Sequence, residues 1–523
     1  MTNKSVRSTS PKAHGRKWSR WRRLRQIVQI LTLLLFLTLL VASWSAGEAS
    51  SLTGLFFQLN PLTALTAMIA GRTWIPKMAW ALITVVVTLF LGRVWCGWIC
   101  PLGTLLGWIR FPGAYQRAIK VSPRWRTVKY ILLLCILGMA LSGSLVLLVF
   151  DPITLLTRAV ATGLLPAINS GITQLETALY QLPLFQPTVS WIEGVLRGVV
   201  LPSIQSAFSQ NLYIFALFAG IIALNGLADR FWCRYLCPLG GLLGLLSRVA
   251  LVRPFITSQC SSCDHCMSEC RMDAIQPSVG HETAPREIIA SECTLCMDCL
   301  AVCPASGIDL RWQTPRVLEQ EYDPGRRQAL ISLGAGAASA LMLSTEAAAK
   351  SPDPRLIRPP GVDDEDEFLS KCIRCGECMQ VCATTGLQPS LLEGGLQGVW
   401  SPRLISRLGP CDYSCNACGQ VCPTGAIPAL DLETKRQEVI GMAVIDRSRC
   451  LPWAYATPCI VCEEMCPIPD KAIRVEEVTV IDESGEEIVL QRPYVLRDLC
   501  IGCGICEYHC PMEAQSAVQV QRR

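Results

Sequence analysis

The sequence predicts an α-helical membrane bundle of four spans, with a fifth possible segment at a central hinge, joined to small cysteine-rich α+β domains. Two observations favour this fold class. The chain of 523 residues is 51% hydrophobic and has a positive mean hydropathy, which is typical of a membrane protein rather than a large soluble one. It also contains 29 cysteines, and their regular spacing is that of metal ligands rather than of a disulfide framework.

The first 250 residues are predicted to be the membrane domain. Each of four apolar stretches approaches the ~20 residues that cross a bilayer. A basic N-terminus precedes the first stretch, and arginines follow the second and fourth, so these flanks are predicted to be cytoplasmic. The chain would then be a multi-pass protein of the bacterial inner membrane, with short amphipathic helices over residues 154–210 on the outer face. The four predicted spans are residues 27–46, 75–91, 128–150 and 211–227.

An internal repeat places two cysteine pairs at the predicted cytoplasmic surface. Each repeat ends in C-x-x-x-C-P-L-G, and residues four apart lie on one face of a helix. The four thiols could therefore serve one additional metal or cluster centre. A redox pair, or simple packing beside the proline turns, explains the same pattern. The thiols are Cys96 and Cys100 in the first repeat and Cys233 and Cys237 in the second.

Each repeat also carries an N/D-P-x-T loop on the predicted outer side, beginning at Asn60 or Asp151. The four histidines lie outside the predicted spans and no C-x-x-C-H occurs, so the usual haem ligands are missing. A diffusible quinone is then the expected electron carrier in the membrane, and Asn60 and Asp151 are candidates to contact its ring oxygens. A helix-cap role explains these two residues equally well.

Residues 251–315 carry two cysteine quartets with the full bacterial ferredoxin spacing C-x2-C-x2-C-x3-C. Each run supplies three thiolates to one [4Fe-4S] cluster and its fourth to the neighbouring cluster. The duplicated spacing disfavours zinc. A compact α+β ferredoxin domain is predicted, on the cytoplasmic side because it follows the fourth span. The ligand sets are Cys260, Cys263, Cys266 and Cys303 for one cluster, and Cys293, Cys296, Cys299 and Cys270 for the other.

The hinge, residues 325–350, decides on which side of the membrane the second half lies. Arg326 and Arg327 begin a segment that looks like a twin-arginine export signal, and Ala347 to Ala349 supply a cleavage-like site. The apolar run between them is rich in glycine and alanine. Export would place residues 351–523 in the periplasm, either held by a fifth span or released by cleavage. The alternative is a linker helix in a chain whose second half stays cytoplasmic and donates electrons there.

Residues 351–523 contain four further quartets, which predicts a four-cluster ferredoxin domain and six [4Fe-4S] clusters in all. The quartets can pair sequentially or be nested, first with fourth and second with third. Residues 438–446 and 475–482 are predicted as a strand and a hairpin. The four quartets are Cys372, Cys375, Cys378, Cys382; Cys411, Cys415, Cys418, Cys422; Cys450, Cys459, Cys462, Cys466; and Cys500, Cys503, Cys506, Cys510.

The remaining composition limits the chemistry. The six quartets and the two C-x-x-x-C-P pairs use every cysteine except Cys135, which is predicted to be an inert small side chain in the third span. No G-x-G-x-x-G follows a strand and no P-loop occurs, so no nucleotide cofactor is expected. The basic residues flank a membrane span, which argues against nucleic acid as a partner. The chain is thus expected to move electrons.

These motifs resemble two known kinds of protein that are fused here. Residues 1–315 look like NapH-type (MauN-like) membrane ferredoxin proteins, and residues 325–523 look like their NapG-type (MauM-like) four-cluster partners. The resemblance implies a quinol dehydrogenase component that takes electrons from the membrane quinone pool to a periplasmic reductase or multihaem cytochrome. It also implies nested cluster pairing in the second half. The first half is similar as well to CcoG-type and NosR-type proteins, which implies the alternative of a redox maturation factor for a metalloenzyme.

Overall fold

The structure, a computed structural model, describes residues 11–45, 54–109, 111, 123–183, 186–197, 207–276, 286–312, 325–349, 353–481 and 487–522. Parts of the predicted outer segment 154–210 and of the basic loop after the second predicted span lie outside these residues. All the candidate cysteines, Asn60 and Asp151 lie within them.

The first part of the chain forms a helical body. Between its α-helices are 3₁₀ turns at Pro76–Trp80, Pro123–Thr127, Val146–Phe150 and Leu224–Gly226, and π-helical turns at Trp95–Ile99, Ala159–Leu164 and Trp232–Leu236. The helices are α1 (Pro11–Ser45), α2 (Leu55–Gln58), α3 (Pro61–Gly71), α4 (Ala81–Leu91), α5 (Pro101–Trp108), α6 (Val128–Leu141), α7 (Pro152–Arg158), α8 (Leu165–Tyr180), α9 (Gln186–Leu196), α10 (Asn211–Ala223) and α11 (Pro238–Ser247).

Four full-length spans are not supported. Within the described part of the chain, one stretch, Trp18–Ser43 in α1, is long and apolar enough to cross a membrane, as an anchor or as a signal sequence would be. The other three predicted spans are shorter helices because turns interrupt them. A 3₁₀ turn precedes α4, another ends α10, and the region 128–150 divides into α6 and Val146–Phe150.

A ferredoxin unit with two small two-stranded sheets follows the helical body. Strand β1 (Val252–Ile256) pairs antiparallel with β4 (Ile308–Trp312), and β2 (Ile275–Gln276) pairs with β3 (Glu287–Ile288). Two short helices, α12 (His265–Glu269) and α13 (Asp298–Val302), pack against each other between the strands. The unit is held to α1 by Arg25, which donates to Asp298 Oδ2 at 3.0 Å and to the Cys296 carbonyl at 2.6 Å. We call it the dicluster unit.

The hinge forms one helix, α14 (Arg326–Ala349), which packs along α6. Its small residues allow the two backbones to approach closely: a Cβ on Gly336 would lie 2.8 Å from Cys135 Cα, and one on Gly138 would lie 3.0 Å from the Ala337 nitrogen. Cys135 Sγ donates to the Ser332 carbonyl at 3.3 Å. The glycine- and alanine-rich run is therefore a packing surface, which explains its low hydrophobicity.

The second half forms what we call the tetracluster unit. Its strands pair as β5 (Leu387–Pro389) with β6 (Pro402–Leu404), β7 (Met442–Ile445) with β10 (Val518–Gln521) and β8 (Ile473–Ile481) with β9 (Glu487–Val495). Strand β7 lies within the strand predicted at residues 438–446. Residues 475–481 lie in β8 alone, and the second strand of that hairpin, β9, lies beyond the predicted range. The unit contacts α1 near its C-terminal end, where Gln380 Nε2 donates to the Leu40 carbonyl at 2.7 Å. In chain order the elements are α15 (Glu365–Lys371), α16 (Glu377–Gln380), β5 (Leu387–Pro389), the 3₁₀ turn Leu396–Gly398, β6 (Pro402–Leu404), α17 (Ala417–Gln420), α18 (Leu432–Gln437), β7 (Met442–Ile445), α19 (Leu451–Ala454), α20 (Val461–Glu464), β8 (Ile473–Ile481), β9 (Glu487–Val495), α21 (Ile505–His509) and β10 (Val518–Gln521).

Candidate iron–sulfur centres

The cysteine loops share one backbone shape. Residues in the left-handed region follow the first cysteine of four quartets, at Ser262, Leu295, Arg374 and Gly502, each with φ between 48° and 73°. Such residues turn the chain sharply, so that successive cysteines of a C-x2-C-x2-C run can face one point. The quartets starting at Cys411 and Cys450, whose first spacing is longer, do not repeat this turn.

The structure brings together the cysteines that the sequence assigned to each cluster of the dicluster unit. Cys266 interacts electrostatically with Cys260, Cys263 and Cys303, the members of its predicted set. The fourth cysteine of that set comes from the other run, as the ferredoxin pattern requires.

The second set of the dicluster unit is also assembled. Cys299 interacts with Cys296, Cys293 and Cys270, and also with Cys266 of the neighbouring set. The two sets are therefore adjacent, as expected for a compact unit with two cubanes.

In the tetracluster unit the first quartet pairs with the second. A cavity is lined by Cys411, Cys415 and Cys418 together with Cys382, the last cysteine of the first quartet. The last cysteine of the second quartet, Cys422, in turn interacts electrostatically with the first quartet. Its partners there are Cys372, Cys375 and Cys378.

The third quartet pairs with the fourth. A second cavity is lined by Cys450, Cys459, Cys462 and Cys510. Cys503 interacts with Cys500 and with Cys466, the last cysteine of the third quartet. The nested pairing implied by the family resemblance is therefore wrong for this structure, because each quartet exchanges its fourth cysteine with its neighbour in the sequence.

The two halves of the tetracluster unit meet at cysteine backbones. The Cys411 amide donates to the Cys503 carbonyl at 2.8 Å. Gly502 packs so closely on Gly441 that a Cβ there would lie within 2.5 Å of the Gly441 nitrogen. The site of Cys411 is thus the neighbour of the site of Cys503.

The donor set fits iron–sulfur clusters. Backbone amides donate to several sulfurs: Ala274 to Cys270 at 3.3 Å and Gly307 to Cys303 at 3.2 Å are examples. Such N–H···S bonds stabilise thiolates and tune cluster potentials. Burial, together with the neighbouring Cys450 and Cys459 thiols, raises the pKa of the Cys462 thiol to about 12, so a thiolate there would be unfavourable without bound metal.

The ligand spacing is that of a cubane rather than of a single metal ion. Among the residues described, no group of three or more His, Cys, Asp or Glu side chains is arranged to hold one metal ion. A cubane spreads its four ligands over several irons, so its sulfurs stand further apart than those of a zinc site.

Glu377 is a buried carboxyl that the sequence pattern did not reveal. It lies between Cys375 and Cys378, and its Oε2 has no hydrogen-bond partner. Burial raises the pKa of Glu377 to about 8, so the side chain is neutral at neutral pH. No pattern of charges in the sequence indicated that Glu377 would be buried.

The four thiols of the C-x-x-x-C-P motifs come together inside the helical body. Cys100 interacts electrostatically with Cys96 and Cys233, and Cys237 with all three others. The sequence predicted that each pair lies on one face of a regular helix, and this prediction is wrong. Cys96 and Cys233 lie in π-helical turns, while the Sγ atoms of Cys100 and Cys237 cap α5 and α11 by accepting from Gly103 and Gly240 amides, at 3.4 and 3.2 Å.

Asn60 and Asp151 are helix caps. The Asn60 side chain accepts from the Leu62 amide at 3.0 Å and the Asp151 side chain from the Ile153 amide at 3.0 Å. Asn60 Nδ2 also donates to Asp151 Oδ1 at 2.8 Å, and both residues are fully buried. The helix-cap role that the sequence allowed is therefore what these contacts show, and a quinone contact stays a prediction.

A buried ionic group connects the dicluster unit to the helical body, and the motifs in the sequence did not predict it. Glu292 lies 2.5 Å from Lys129 Nζ and 3.4 Å from Arg93 Nη1. Burial would raise the pKa of Glu292, but Lys129 and Arg93 outweigh it and lower that pKa. One sequence feature could have pointed to this group: Arg93 and Arg230 each lie three residues before the first cysteine of a C-x-x-x-C-P motif.

Comparisons with known proteins agree with this picture of the cysteines. Sequence models described as 4Fe-4S binding domain match residues 73–121 and 210–256 and, separately, 493–516, and one described as 4Fe-4S dicluster domain matches residues 259–308. The methylamine utilization ferredoxin-type protein MauM of Methylorubrum extorquens is 36% identical over 211 residues, which is 38% of this chain and 90% of that protein. The chain belongs to the MauM family of ferredoxin-type proteins.

Two further relatives of this MauM-family chain are ferredoxin-type proteins of Escherichia coli. NapG is 36% identical over 166 residues, 31% of this chain and 69% of NapG. NapF is 30% identical over 162 residues, 31% of this chain and 84% of NapF. No solved structure matches the chain. The protein is thus a ferredoxin-type iron–sulfur electron-transfer protein.

Proposed function

We propose that this protein is a membrane-bound quinol dehydrogenase component that passes electrons from the quinone pool to a periplasmic reductase or multihaem cytochrome. When bound, six [4Fe-4S] clusters would supply one-electron transfer. The observation that carries the proposal is that the dicluster and tetracluster units contact α1 at two places fifteen residues apart, Arg25 and Leu40.

The spacing of these two contacts suits a membrane. Arg25 of α1 binds Asp298 of the dicluster unit, while the Leu40 carbonyl receives Gln380 of the tetracluster unit. Fifteen residues of α-helix separate them, a rise of about 22 Å at 1.5 Å per residue. That length takes up most of the ~30 Å of hydrocarbon in a bilayer.

The surface of the helical body between the two units is apolar. Large hydrophobic side chains are exposed on α1, α4 and α10, such as Leu31, Leu82 and Leu212, each about 60–70% exposed. So many exposed apolar side chains on one body favour a cover of lipid or of another protein. Lipid is the simpler cover, because α1 alone satisfies the length of a span.

Exposed tryptophans mark the two borders of this surface. Trp21 and Trp108 lie at the dicluster end, and Trp74 lies beside α3, whose Gly71 packs on Lys371 of the tetracluster unit. Tryptophan is enriched where a protein crosses the membrane–water interfaces. Shorter helices that begin and end within the body would complete a multi-pass arrangement, with the dicluster unit cytoplasmic and the tetracluster unit periplasmic.

The close packing of α14 on α6 supports retention of the hinge helix. A twin-arginine segment that buries Gly336 against Cys135 is part of the folded body, so the second half would stay attached rather than be released after Ala349.

Two experiments test the proposal. Purified protein, isolated anaerobically in detergent, should be reduced by a quinol analogue, seen as bleaching of its visible absorption and as a reduced-cluster electron paramagnetic resonance signal. A variant with Cys372→Ala and Cys378→Ala should keep the dicluster signal and lose one tetracluster signal. The lost signal can then be assigned to the cluster that these two cysteines bind. Absence of reduction would exclude quinol oxidation and favour the redox maturation factor.

The membrane arrangement is tested separately with reporters. A phosphatase active only in the periplasm, fused after Arg523, should be active, and the same reporter placed after residue 315 should be inactive. An inactive reporter after Arg523 would contradict the two-sided arrangement and favour a cytoplasmic electron donor.

A further inference from the structure

We propose that a cavity beside the dicluster unit binds the ring of a quinol, and that Arg230 donates to one of the ring oxygens. The inference rests on the proposed function, because it names the place where quinol would be oxidised. The cavity lies where α1, the end of α5 and two loops of the dicluster unit meet. Its lining includes Arg25, Gln29, Trp108, Arg230, Arg271 and Cys296.

Arg230 is a buried cation that lines the cavity without an acceptor of its own. Its side chain is only 5% exposed, and its Nε has no hydrogen-bond partner. The guanidinium group forms no hydrogen bond or ion pair with any residue that the structure describes. A buried charge without a partner is unfavourable. An electron-rich oxygen bound in the cavity would supply the missing acceptor.

The other arginines of the cavity wall already have acceptors. Arg25 donates to Asp298 Oδ2 at 3.0 Å, which ties α1 to the dicluster unit. Arg271 Nη1 donates to the Gly107 carbonyl at the end of α5. Arg230 differs from both because its acceptor is missing among the described residues, so it is the donor that a ligand would meet.

Contacts between separate parts of the chain hold the walls of the cavity in place. Gln29 Nε2 of α1 donates to the Gly97 carbonyl at 2.7 Å. Trp98 Nε1 donates to the Leu295 carbonyl at 3.0 Å, next to Cys296 in the cluster loop. A site whose walls are fixed before the ligand arrives loses less conformational entropy on binding.

The size of the cavity suits a ring rather than a whole quinone. Its volume is about 400 Å³, between the 430 and 380 Å³ of the two cysteine-lined cavities in the tetracluster unit. Sites for small molecules span about 300 to 1,000 Å³, so this one is at the lower end. The tail would lie outside, along the exposed apolar side chains of the helical body. Trp108, which is 48% exposed, lines the cavity on that side.

The presence of Cys296 in the wall favours a redox-active ligand. Cys296 is one of the predicted ligands of a dicluster cubane, so a ring in the cavity would lie against the cluster loop. A quinol oxidised there would become the quinone, giving one electron to each of the two dicluster clusters and two protons to water. The phosphate of an anionic lipid could also accept from Arg230, but it would make no use of the neighbouring cluster.

Photolabelling of the full-length, cluster-loaded protein in detergent tests the proposal. The probe is an azido-substituted short-chain ubiquinone, and labelled peptides are identified by mass spectrometry. Label should fall on α1 near Gln29 or on α5 near Trp108, and an excess of unlabelled short-chain ubiquinone should prevent it. In Arg230→Gln the probe concentration for half-maximal labelling should rise about tenfold or more, as expected for loss of a hydrogen bond from a charged donor.

Two further variants separate the position of Arg230 from its charge. Arg234→Gln removes the same charge four residues further along, where Arg234 pairs with Asp273 at 2.9 Å outside the cavity wall, and it should label like wild type. Gly107→Ala keeps the charge but crowds the guanidinium group, since a Cβ there would lie 2.5 Å from Arg230 Nη2. It should weaken labelling as Arg230→Gln does.

Three results would overturn the proposal. They are label confined to other parts of the chain, equal labelling of wild type and Arg230→Gln, or protection by phosphatidylglycerol but not by unlabelled quinone. The wild-type label map decides the matter even if Arg230→Gln fails to fold. Label in the cavity without cluster reduction by quinol would contradict the proposed function and leave the site standing. Cluster reduction with label elsewhere would do the reverse.

Discussion

The contact between α14 and α6 predicts that Gly336→Ala is strongly destabilising. The added methyl group would lie 2.8 Å from Cys135 Cα and closer still to the Cys135 carbonyl oxygen. Ordinary contacts begin near 3.4 Å, so α14 must move by more than half an ångström along the interface. Overpacking of this kind costs about 1–3 kcal/mol.

Gly334→Ala is the matched control. It lies two residues earlier in the same helix, and a Cβ there meets nothing within 4 Å. Alanine favours a helix over glycine by about 1 kcal/mol, so this variant should be neutral or more stable. Both variants gain the same helix propensity, so they should differ by the overpacking cost alone, about 1–3 kcal/mol.

The assay is unfolding of the detergent-solubilised protein, followed by loss of the visible absorption of its clusters. Gly336→Ala should unfold at lower temperature than wild type, and Gly334→Ala should not. Equal stability of the two variants would refute the docking of α14 on α6, and with it the reason for expecting the hinge helix to be retained.

Three further predictions follow from the sites. Cys382→Ala and Cys411→Ala should remove the same spectroscopic component because both thiols line one cavity. If the two variants lost different components, the nested pairing of quartets would be supported instead. Glu292→Gln should lower the free energy of unfolding by about 3–5 kcal/mol, since two buried cations lose their only carboxylate, as urea unfolding would show. Burial raises the pKa of Glu393, but the Leu391 amide and Arg403 outweigh burial, so that the pKa is lowered. The loop around Glu393 should therefore lose stability as the pH falls below about 4.3, the ordinary pKa of a glutamate. Hydrogen exchange of the Leu391 amide should accelerate at that pH in the wild type and not in Glu393→Gln.

The sequence was most informative where chemistry is local. A C-x2-C-x2-C run fixes its own turn, so the ligand sets of the dicluster unit, for example Cys260 with Cys303, follow from the spacing alone. The internal repeat likewise identified the four thiols that the fold brings together. Extended structure was also predicted at residues 438–446 and 475–482, where β7 and β8 lie.

Features that depend on distant packing could not be predicted. Sequential pairing in the tetracluster unit is set by which loops meet, such as Cys382 with Cys411, and the spacing between quartets does not encode this. The span lengths were overestimated because apolar composition does not show where 3₁₀ turns such as Pro76–Trp80 interrupt a helix. The partners of Lys129 lie more than 160 residues away in the chain.

The exchange of a fourth cysteine between adjacent quartets has a consequence for biogenesis. Every ligand needed by the first two tetracluster sites has been synthesised once the ribosome has passed Cys422, and the last two need nothing from upstream of Cys450. Cofactor insertion could accordingly keep pace with translation, one pair at a time. A chain interrupted in its final segment would still hold a completed first pair, whereas a nested ligand pattern would leave every site waiting for the C-terminus.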